Sequence, residues 1–331
     1  MDEIAYSPDA ERKLVFEEVA DKTKMLAFLI EKDFWISWIL EKMFNDEYLA
    51  DILCFKGGTS LSKTFKLIER FSEDIDLILS QKVILVEGEK LEQSSNTKQA
   101  RFNKEIEERA MSFISTKLRE KISITLGKIC SVSLDPRDGH VLHVRYPEIF
   151  EYTYLRPDIK LEIGPLALWN PNEKYPVFSY VTDVYPNLKT KATLIPTVKP
   201  ERIFWEKITI LHHEHYRPIS SPIPSRYSRH YYDVYKMGTS DLGVKTQALS
   251  SIDLLKDVVD FKQRFYPRGW ARYDEAREGI LHLSPKEYQL SELKKDYDKM
   301  HEMIFGDVPE WDDILSGIKQ LEEEIRTRFS R

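Results

Sequence analysis

The chain has 331 residues, of which 42% are hydrophobic and 31% charged, and its formal net charge is −6. This composition is typical of a globular protein with a sizeable core, and the length predicts two domains. No segment approaches the roughly 18 consecutive apolar residues of a membrane-spanning helix. The acidic, polar N-terminal segment lacks the basic and apolar regions of a secretory signal. The acidic balance argues against a protein that coats nucleic acid without specificity.

The predicted elements come in the order helices, mixed sheet, helices. In the first part of the chain they are two helices within 8–50, a strand at 52–55, a helix at 59–68, a strand at 75–79, an exposed loop at 87–104 and a long helix at 101–127. Strand-like segments follow at 129–134, 140–146, 158–163, 177–184 and 192–197. Helices are predicted at 201–215, 226–237, 244–265, 285–304 and 310–328. This order predicts an α/β (α+β) fold, with a core domain at 1–199 and a helical domain at 200–331.

The two cysteines bear on the cellular compartment. Cys54 and Cys130 each lie inside an apolar run, and they match neither a disulfide framework nor a zinc pattern. They therefore predict two buried free thiols in a reducing, cytoplasmic environment.

Positive charge is concentrated in one part of this acidic chain. Residues 189–230 hold eight lysines and arginines and three acids, a local excess of five positive charges. The excess indicates either one phosphate-binding site or a solvated basic face, and charge alone does not separate the two.

The segment 55–79 carries the strongest chemical signal. A strand leads to Gly57 and Gly58, which let the backbone approach a ligand closely and adopt positive φ. Thr59 and Ser60 then lie at a helix N-terminus, where N–H groups and the helix dipole favour an anion. The alternative is that the two glycines form an ordinary turn after a strand.

Two aspartates follow on the next strand. Asp74 and Asp76 are two residues apart, so both carboxylates point to the same face of the strand. Paired carboxylates beside a phosphate-binding turn suit Mg²⁺, and two such ions can bridge phosphates and activate an attacking hydroxyl. An Asp-x-Asp pair alone is more often a solvated strand edge, and it is the combination with Gly57 and Gly58 that favours a catalytic site.

These residues carry a family resemblance. The sequences KGGTSL at 56–61 and RFSEDIDL at 70–77 resemble the first motif of the polymerase-β-like nucleotidyltransferase superfamily, and more narrowly the AbiEii/AbiGii toxin family with its MenT-type toxins. The resemblance continues in a lead-in at 32–35, a second motif at 158–163, a third at 200–207 and a fourth at 226–235. His230 departs from the family pattern, because the fourth motif often has aspartate there.

The resemblance implies a polymerase-β-like core and a reaction in which a hydroxyl attacks the α-phosphate of an NTP and pyrophosphate leaves. Asp74 and Asp76 would hold Mg²⁺ in a two-metal site, with Glu162 as a third metal ligand or as the base. The alternative for Glu162 is a charge pair with Lys160. The phosphates would be bound by the backbone and hydroxyl groups of the turn, which comprises Gly57, Gly58, Thr59 and Ser60.

The helical domain would complete the nucleotide site. Lys207 would bind the triphosphate, and Asp233 would lie near the nucleotide or orient Lys207. Arg226 and Arg229 are three residues apart on one predicted helix face, and they would bind an NTP or RNA phosphate. For each of these four side chains the alternative is an ordinary surface position.

Other chemical signals in this region are weaker. The run from His212 to His215 lacks the spacing of a zinc site. Phe204 and Trp205 could stack on a base, but core packing is the favoured interpretation.

The resemblance implies a toxin of a toxin–antitoxin or phage-defence pair, which adds nucleotides to the 3′ end of tRNA and is neutralised by a separately encoded antitoxin. A second hypothesis keeps the nucleotidyltransferase and makes the acceptor a protein or a small molecule. A third is an interaction protein that binds nucleotide without turnover. The presence of Asp74, Asp76 and Lys207 argues against the third.

Overall fold

The computed structural model describes residues 1–150, 158–189 and 192–329. The chain divides into two units, the first formed by Met1–Thr64 and Phe71–Val198 and the second by Phe65–Arg70 and Lys199–Arg331. The short segment 65–70 therefore belongs to the C-terminal unit, although in the sequence it lies between Gly57 and the paired aspartates Asp74 and Asp76. None of the described helices combines the length and the apolar character needed to cross a lipid bilayer.

The first unit contains a sheet with helices before, within and after it. Its described helices are α1 (Asp2–Ala5), α2 (Asp9–Thr23), α3 (Ala27–Asn45), α4 (Glu47–Ile52), α5 (Gly57–Lys63), α6 (Asn96–Phe113), α7 (Arg119–Leu126) and α8 (Val181–Val184). Its strands are β1 (Leu53–Lys56), β2 (Ile75–Leu79), β3 (Ser131–Leu134), β4 (Val141–Arg145), β5 (Asp158–Gly164), β6 (Asn172–Pro176) and β7 (Leu194–Val198). A π-helical segment, Ile114–Leu118, joins α6 to α7.

The seven strands form one mixed sheet in the order β3-β4-β5-β2-β1-β7-β6. The pairs β2–β5 and β1–β7 are parallel, and the other neighbours are antiparallel. Along β5 the buried residues Ile159, Leu161 and Ile163 alternate with half-exposed ones. This period of two separates an apolar face, which packs into the core, from a polar face that carries the candidate site.

Helix α3 is the central helix of the first unit, because nearly all of its circumference is buried. Phe34, Trp35 and Trp38 form edge-to-face pairs along it, and Trp35 also stacks on Tyr146 of the segment after β4, with ring centroids 5.6 Å apart. A helix that is buried on nearly all sides belongs in a core, and these aromatic residues pack inside the first unit.

The described part of the second unit is helical. Its helices are α9 (Pro200–His215), α10 (Ser228–Thr239), α11 (Val244–Leu249), α12 (Ile252–Phe265), α13 (Tyr273–Arg277), α14 (Glu287–Met300) and α15 (Trp311–Phe329). Helices α10 and α15 approach closely at Gly317, where an added Cβ would lie 2.6 Å from the ring of Tyr235. These seven described helices confirm the prediction that the C-terminal region is helical.

The segment 65–70 is tied to this helical unit by its last two residues. Arg70 forms an isolated antiparallel bridge with Ile304, and the carbonyl of Glu69 accepts a hydrogen bond from the N–H of Phe305. The carboxylate of Glu69 also accepts from Lys236 Nζ at 2.7 Å.

Several predicted elements are wrong or displaced. Residues 177–184 were expected to form a strand, but the strand lies earlier, at β6, and this segment ends in the short helix α8. The exposed loop expected at 87–104 ends at Ser95, and α6 begins at Asn96. The helix expected at 59–68 begins at Gly57 and ends at Lys63.

Candidate functional site

The turn between β1 and α5 brings the backbone against one of the predicted catalytic carboxylates. Gly57 has φ of +81°, and a Cβ built on it would lie 1.9 Å from Oδ2 of Asp76. Asp76 is separated from Gly57 by α5 and the chain that follows it, so this proximity is tertiary. The sequence analysis explained Gly57 by the close approach of a ligand. The structure shows that the close approach of the Asp76 side chain by itself requires glycine at this position.

We expect Gly57→Ala to destabilise the first unit by about 2–5 kcal/mol, because it adds both left-handed backbone strain and a clash with Asp76. Gly88→Ala is the matched control. Gly88 has φ of +83° but no heavy atom within 4 Å of an added Cβ, so only the strain of about 1–2 kcal/mol applies. Chemical denaturation measures both values. Equal losses of unfolding free energy in the two variants would show that the contact between the added methyl group and Asp76 has no energetic cost.

The hydroxyls of the turn are used inside the protein. Thr59 and Ser60 are both buried. The Thr59 hydroxyl donates to the backbone carbonyl of Asp74, and the Ser60 hydroxyl donates to the carbonyl of Gly57 at 2.8 Å. Thr59 therefore connects α5 to the start of β2, and the groups of this turn that suit phosphate are its backbone N–H groups rather than these two hydroxyl protons.

The predicted carboxylates share the polar face of the sheet. Asp74 and Asp76 are half-exposed, while Ile75 and Leu77 between and beyond them are buried. In the parallel pair β2–β5, Asp76 is in register with Glu162, which is also half-exposed. Neighbouring strands lie about 4.8 Å apart, so the fold places Glu162 beside Asp76, as the second motif implies.

Lysines lie next to these carboxylates in the same sheet. Lys56 of β1 is in register with Asp76 in the antiparallel pair β1–β2. Lys160 lies two residues before Glu162 on the same face of β5, where it is in register with His143 of β4. The polar face therefore alternates acidic and basic side chains.

The oxygen-rich donor set fits a divalent cation in type. Mg²⁺ is usually bound by one or two carboxylates, with waters and substrate phosphates completing its shell. Asp74 and Asp76 on one face match that requirement. Across the described residues, no group of three or more His, Cys, Asp or Glu side chains converges closely enough to hold a metal ion. Two protein carboxylates with substrate oxygens are thus the arrangement that the described side chains support.

Three consecutive charged residues of α3 position the elements around this face. Glu31, Lys32 and Asp33 are each at most 2% exposed. Asp33 accepts hydrogen bonds from Lys63 Nζ at the end of α5, and from the Ser179 hydroxyl at 2.9 Å. Its carboxylate also accepts from the Tyr180 N–H at 2.8 Å. Asp33 therefore joins α5 to the segment before α8.

The other two residues of this set hold different segments. Lys32 forms a buried ion pair with Glu73, the residue immediately before Asp74, with Nζ and Oε2 3.2 Å apart. Glu31 accepts the N–H groups of Ile149 and Phe150 at 2.8 and 3.0 Å. Sequence reasoning assigned no role to these charges. The signal that would have found them is three charged residues in succession inside an otherwise apolar helix.

The second unit contains a buried triad that includes two predicted site residues. Asp233 of α10 is fully buried, and its carboxylate accepts from Lys207 Nζ of α9 at 2.7 Å. Arg70 donates to the same carboxylate through Nε at 2.7 Å and through a terminal nitrogen at 2.8 Å. The prediction left open whether Asp233 orients Lys207, and the structure brings the two side chains together. Sequence reasoning assigned no separate role to Arg70.

The ionisation of the triad follows from burial and from its own charges. Burial would raise the pKa of Asp233, but Arg70 and Lys207 outweigh it and hold the pKa of this carboxyl well below its usual value. Burial lowers the pKa of Lys207, and Arg70 adds to this while Asp233 opposes it. One buried carboxylate thus faces two basic side chains, Arg70 and Lys207.

His230, which stands where the family motif often has aspartate, lies near this triad. Burial, followed by the charges of Lys207 and Arg229, lowers the pKa of its imidazole well below the usual value. Its Nδ1 atom is buried without a hydrogen-bond partner. The substitution therefore places a neutral ring where the motif usually has a negative charge.

The two other predicted phosphate-binding residues are not on one helix face. Helix α10 begins at Ser228, so Arg226 precedes it, in left-handed backbone with φ of +63°. The Arg226 N–H and the Ser228 N–H donate to the two carboxylate oxygens of Asp296, at 2.7 and 2.9 Å. The predicted common face of Arg226 and Arg229 is wrong, because the helix starts later than expected.

The basic stretch 189–230 is not one solvated face. Arg202, Lys207 and Arg217 are buried, and each is paired with a carboxylate. The side chain of Lys189 and all of Lys191 lie outside the described residues. Much of the local charge is therefore internal to the second unit.

The weaker signals have structural roles. Trp205 and Phe204 are buried, and Trp205 Nε1 donates to the carbonyl of Ala248 at 3.2 Å, so core packing is confirmed for both. In the histidine run, His212 and His215 contact the backbone of Arg272 and Ser284.

Both cysteine thiols are free and buried, as predicted. Burial raises the pKa of Cys54 and of Cys130 to about 12, so neither thiol is activated as a nucleophile.

Comparisons with known proteins give a family match and several similar solved structures. A family model described as nucleotidyl transferase AbiEii toxin, Type IV TA system, matches residues 38–317. Among solved structures, MenT4, a nucleotidyltransferase toxin from Mycobacterium tuberculosis H37Rv, shares 16% identity over 95% of this chain and 98% of that chain, with a TM-score of 0.45. JHP933 from Helicobacter pylori shares 13% identity over 88% and 89%, with a TM-score of 0.41. No curated protein matches the sequence.

Proposed function

Because the chain belongs to the AbiEii family of nucleotidyltransferase toxins, we propose that it transfers NMP from an NTP to the 3′ hydroxyl of tRNA in a Mg²⁺-dependent reaction. The family match identifies the chain as a nucleotidyltransferase of a toxin–antitoxin system, and it implies an NTP substrate and an antitoxin partner. Beyond the family match, we propose the tRNA acceptor, the Mg²⁺ ion, the roles of the individual residues and an antitoxin that is encoded separately.

The observation that carries this proposal is the arrangement around Asp76. Its carboxylate lies against Gly57 of the turn and in register with Glu162 on the neighbouring strand. A glycine turn, an Asp-x-Asp strand and a carboxylate on the adjacent strand are what transfer between phosphate and hydroxyl oxygens requires: a binding turn and metal-binding oxygens.

In the proposed reaction the 3′ oxygen of the acceptor forms a bond to the α-phosphorus, and the bond to the bridging oxygen breaks. Pyrophosphate leaves, and the hydroxyl proton passes to a carboxylate, for which we propose Glu162. Bound Mg²⁺ would neutralise phosphate charge and favour the alkoxide. Asp74 and Asp76 would hold the metal, and Glu162, in register with Asp76 on the neighbouring strand, would act as the base.

We propose phosphate-binding roles for the following groups. The backbone of Gly57, Gly58, Thr59 and Ser60 would donate N–H groups to phosphate oxygens. Lys207 would contribute a compact positive charge, which burial disfavours and the carboxylate of Asp233 favours. Arg229 and Arg226 would add charge for the NTP or the acceptor backbone.

The experiment that tests this function is nucleotide labelling. The protein is incubated with total tRNA, Mg²⁺ and each α-³²P-labelled NTP in turn, beside the Asp74→Asn/Asp76→Asn double variant. We expect labelled tRNA from one NTP, and a loss of about 100-fold or more in the variant. Asp51→Asn, which removes an exposed carboxylate of the same unit, is the matched control.

The other outcomes separate the alternatives. Label on a protein or a small molecule, with none on RNA, would contradict the tRNA assignment and support the second acceptor class. Absence of label and of pyrophosphate release with every NTP would contradict the enzyme role proposed for these carboxylates.

A further inference from the structure

Arginines and aromatic rings alternate in one part of the second unit. Arg217 lies between two rings, with Cζ 5.9 Å from the centroid of Tyr227 and 5.8 Å from that of Trp270. The guanidinium of Arg268 lies 5.7 Å from the Trp270 centroid. Arg229 lies two residues after Tyr227, in the first turn of α10. We call this set of five side chains the arginine–aromatic ladder: Arg229, Tyr227, Arg217, Trp270 and Arg268.

The charges of the ladder are only partly neutralised. Glu214 pairs with Arg217 through two hydrogen bonds, at 2.5 and 2.8 Å. Within the described residues, neither Arg229 nor Arg268 has an ion-pair partner. Arg268 is exposed, and Arg229 is half-exposed. Two cations at the ends of the ladder are therefore available to phosphates in solution.

The rings of the ladder are also accessible in part. Tyr227 and Trp270 are both half-exposed, whereas Trp205 and Trp311 of the same unit are buried. The run 261–273 around Trp270 contains four basic residues and no acidic ones. Half-exposed rings between unpaired cations are the elements that single-stranded nucleic acids require, because phosphates meet the cations and unpaired bases stack on the rings.

The ladder begins beside the buried triad. The His230 ring packs edge-on against Tyr227, with centroids 4.9 Å apart and an interplanar angle of 78°. His230 is in turn near Lys207, whose charge disfavours a proton on the imidazole. A strand held by the ladder would therefore have one end next to the lysine assigned to the triphosphate.

We propose that the arginine–aromatic ladder binds the single-stranded 3′ end of the RNA acceptor, with bases stacked on Tyr227 and Trp270 and phosphates against Arg229 and Arg268. This inference rests on the proposed function, since it names the surface that holds the acceptor. A duplex does not expose its base faces, so the ladder selects unpaired ends. An acidic protein partner could form ion pairs with the arginines, but it would offer no bases to stack on the exposed ring faces.

The test measures RNA binding separately from catalysis. A fluorescent RNA octamer that ends in a 3′-deoxynucleotide, so that it cannot be extended, is titrated with the full chain and followed by anisotropy. We expect Trp270→Leu and Arg268→Gln each to raise the Kd for this RNA about tenfold or more. Arg268→Gln should also reduce the salt dependence, by about 0.7 in the slope of log K against log salt.

Arg277→Gln is the matched control, because it removes the same charge from the same unit while Arg277 is paired with Asp260 at 2.7 Å. We expect it to leave the Kd for RNA within about twofold, since it lies outside the ladder. The KM for NTP, measured by labelling, should stay within about twofold in both ladder variants, because the ladder holds the acceptor. Trp270→Leu keeps much of the apolar volume, and Arg268→Gln changes an exposed side chain, so a folding defect in one leaves the other informative.

Each contrary outcome has a distinct meaning. Unchanged RNA affinity in both variants, with RNA still labelled by the wild type, would overturn the ladder and leave the proposed function intact. A raised KM for NTP with unchanged RNA affinity would also overturn it, and would assign the rings to the base of the NTP. RNA binding that depends on the ladder, without label on any RNA, would support the ladder and contradict the proposed acceptor.

Discussion

Replacement of Asp233 by asparagine is expected to lower the free energy of unfolding by about 3–5 kcal/mol, because two buried cations lose their only carboxylate within the triad. Arg70 and Lys207 are at most 7% exposed, and both donate to this one side chain. Asparagine keeps the volume but not the charge. The measurement is urea denaturation followed by circular dichroism at pH 7.

The control for this variant is Asp260→Asn. Asp260 pairs with Arg277 in the same unit, but both side chains are at least 40% exposed. Exposed pairs contribute about 0–1 kcal/mol, so a loss for Asp233→Asn no larger than for Asp260→Asn would show that the triad does not stabilise the unit.

The pH dependence gives an independent check on the sign. The pKa of Asp233 is lowered in the folded state, so its ionised form contributes stability that is fully present above the usual carboxyl pKa of about 4. That contribution is lost as the pH falls through the lower, folded-state value. We therefore expect the difference between wild type and Asp233→Asn to be full at pH 7 and to shrink below about pH 4. A difference that grew towards low pH would contradict the assignment.

Loss of Asp33 is expected to have a comparable effect in the first unit. Asp33→Asn removes the buried negative charge that faces the Lys63 ammonium, which is 7% exposed, and we expect a loss of about 3–5 kcal/mol. The hydrogen bonds from Ser179 and the Tyr180 N–H would weaken as well, because the acceptor is no longer charged. Helix α5 and the segment before α8 would then no longer bind the same carboxylate.

A double-mutant cycle separates the ion pair from the packing around it. The variants are Asp33→Asn, Lys63→Met and both together, with unfolding free energies from chemical denaturation. We expect the double variant to lose less than the sum of the single variants by about 1–3 kcal/mol, since removing both charges leaves no unpaired ion. Lys42→Met, which removes a partly exposed partner of Asp2, should cost about 1 kcal/mol or less. Additive losses at Asp33 and Lys63 would refute the coupling.

The strands that were predicted correctly share a pattern that can be recognised within a few consecutive residues of the sequence. β1, β2 and β5 are short apolar or alternating runs bounded by glycine, proline or charged residues, and the period of two separates their faces. The same period placed Asp74 with Asp76, and Lys160 with Glu162, on common faces.

The errors arose where long-range contacts select the structure. The apolar segment 177–184 reads as a strand, but Asp33 binds Ser179 and Tyr180, and a short helix follows. The strand that does form nearby, β6, is polar and lies at the sheet edge, where no apolar alternation marks it. The polar start of α6 is helical because Ser95 caps it and Phe102 is buried.

By itself, the sequence determined the helix–sheet–helix order, the candidate motif at 55–79 and the family, because those features depend on spacings of a few residues along the chain. Only the tertiary structure showed that Asp76 packs against Gly57 and leaves no room for a Cβ there. It also showed that Lys32 and Asp33 form ion pairs with residues on either side within the motif, and that Arg70 completes the triad. Arg70 and Asp233 are 163 residues apart. Buried charges choose partners by packing and desolvation, and neither has a period that can be read along the chain.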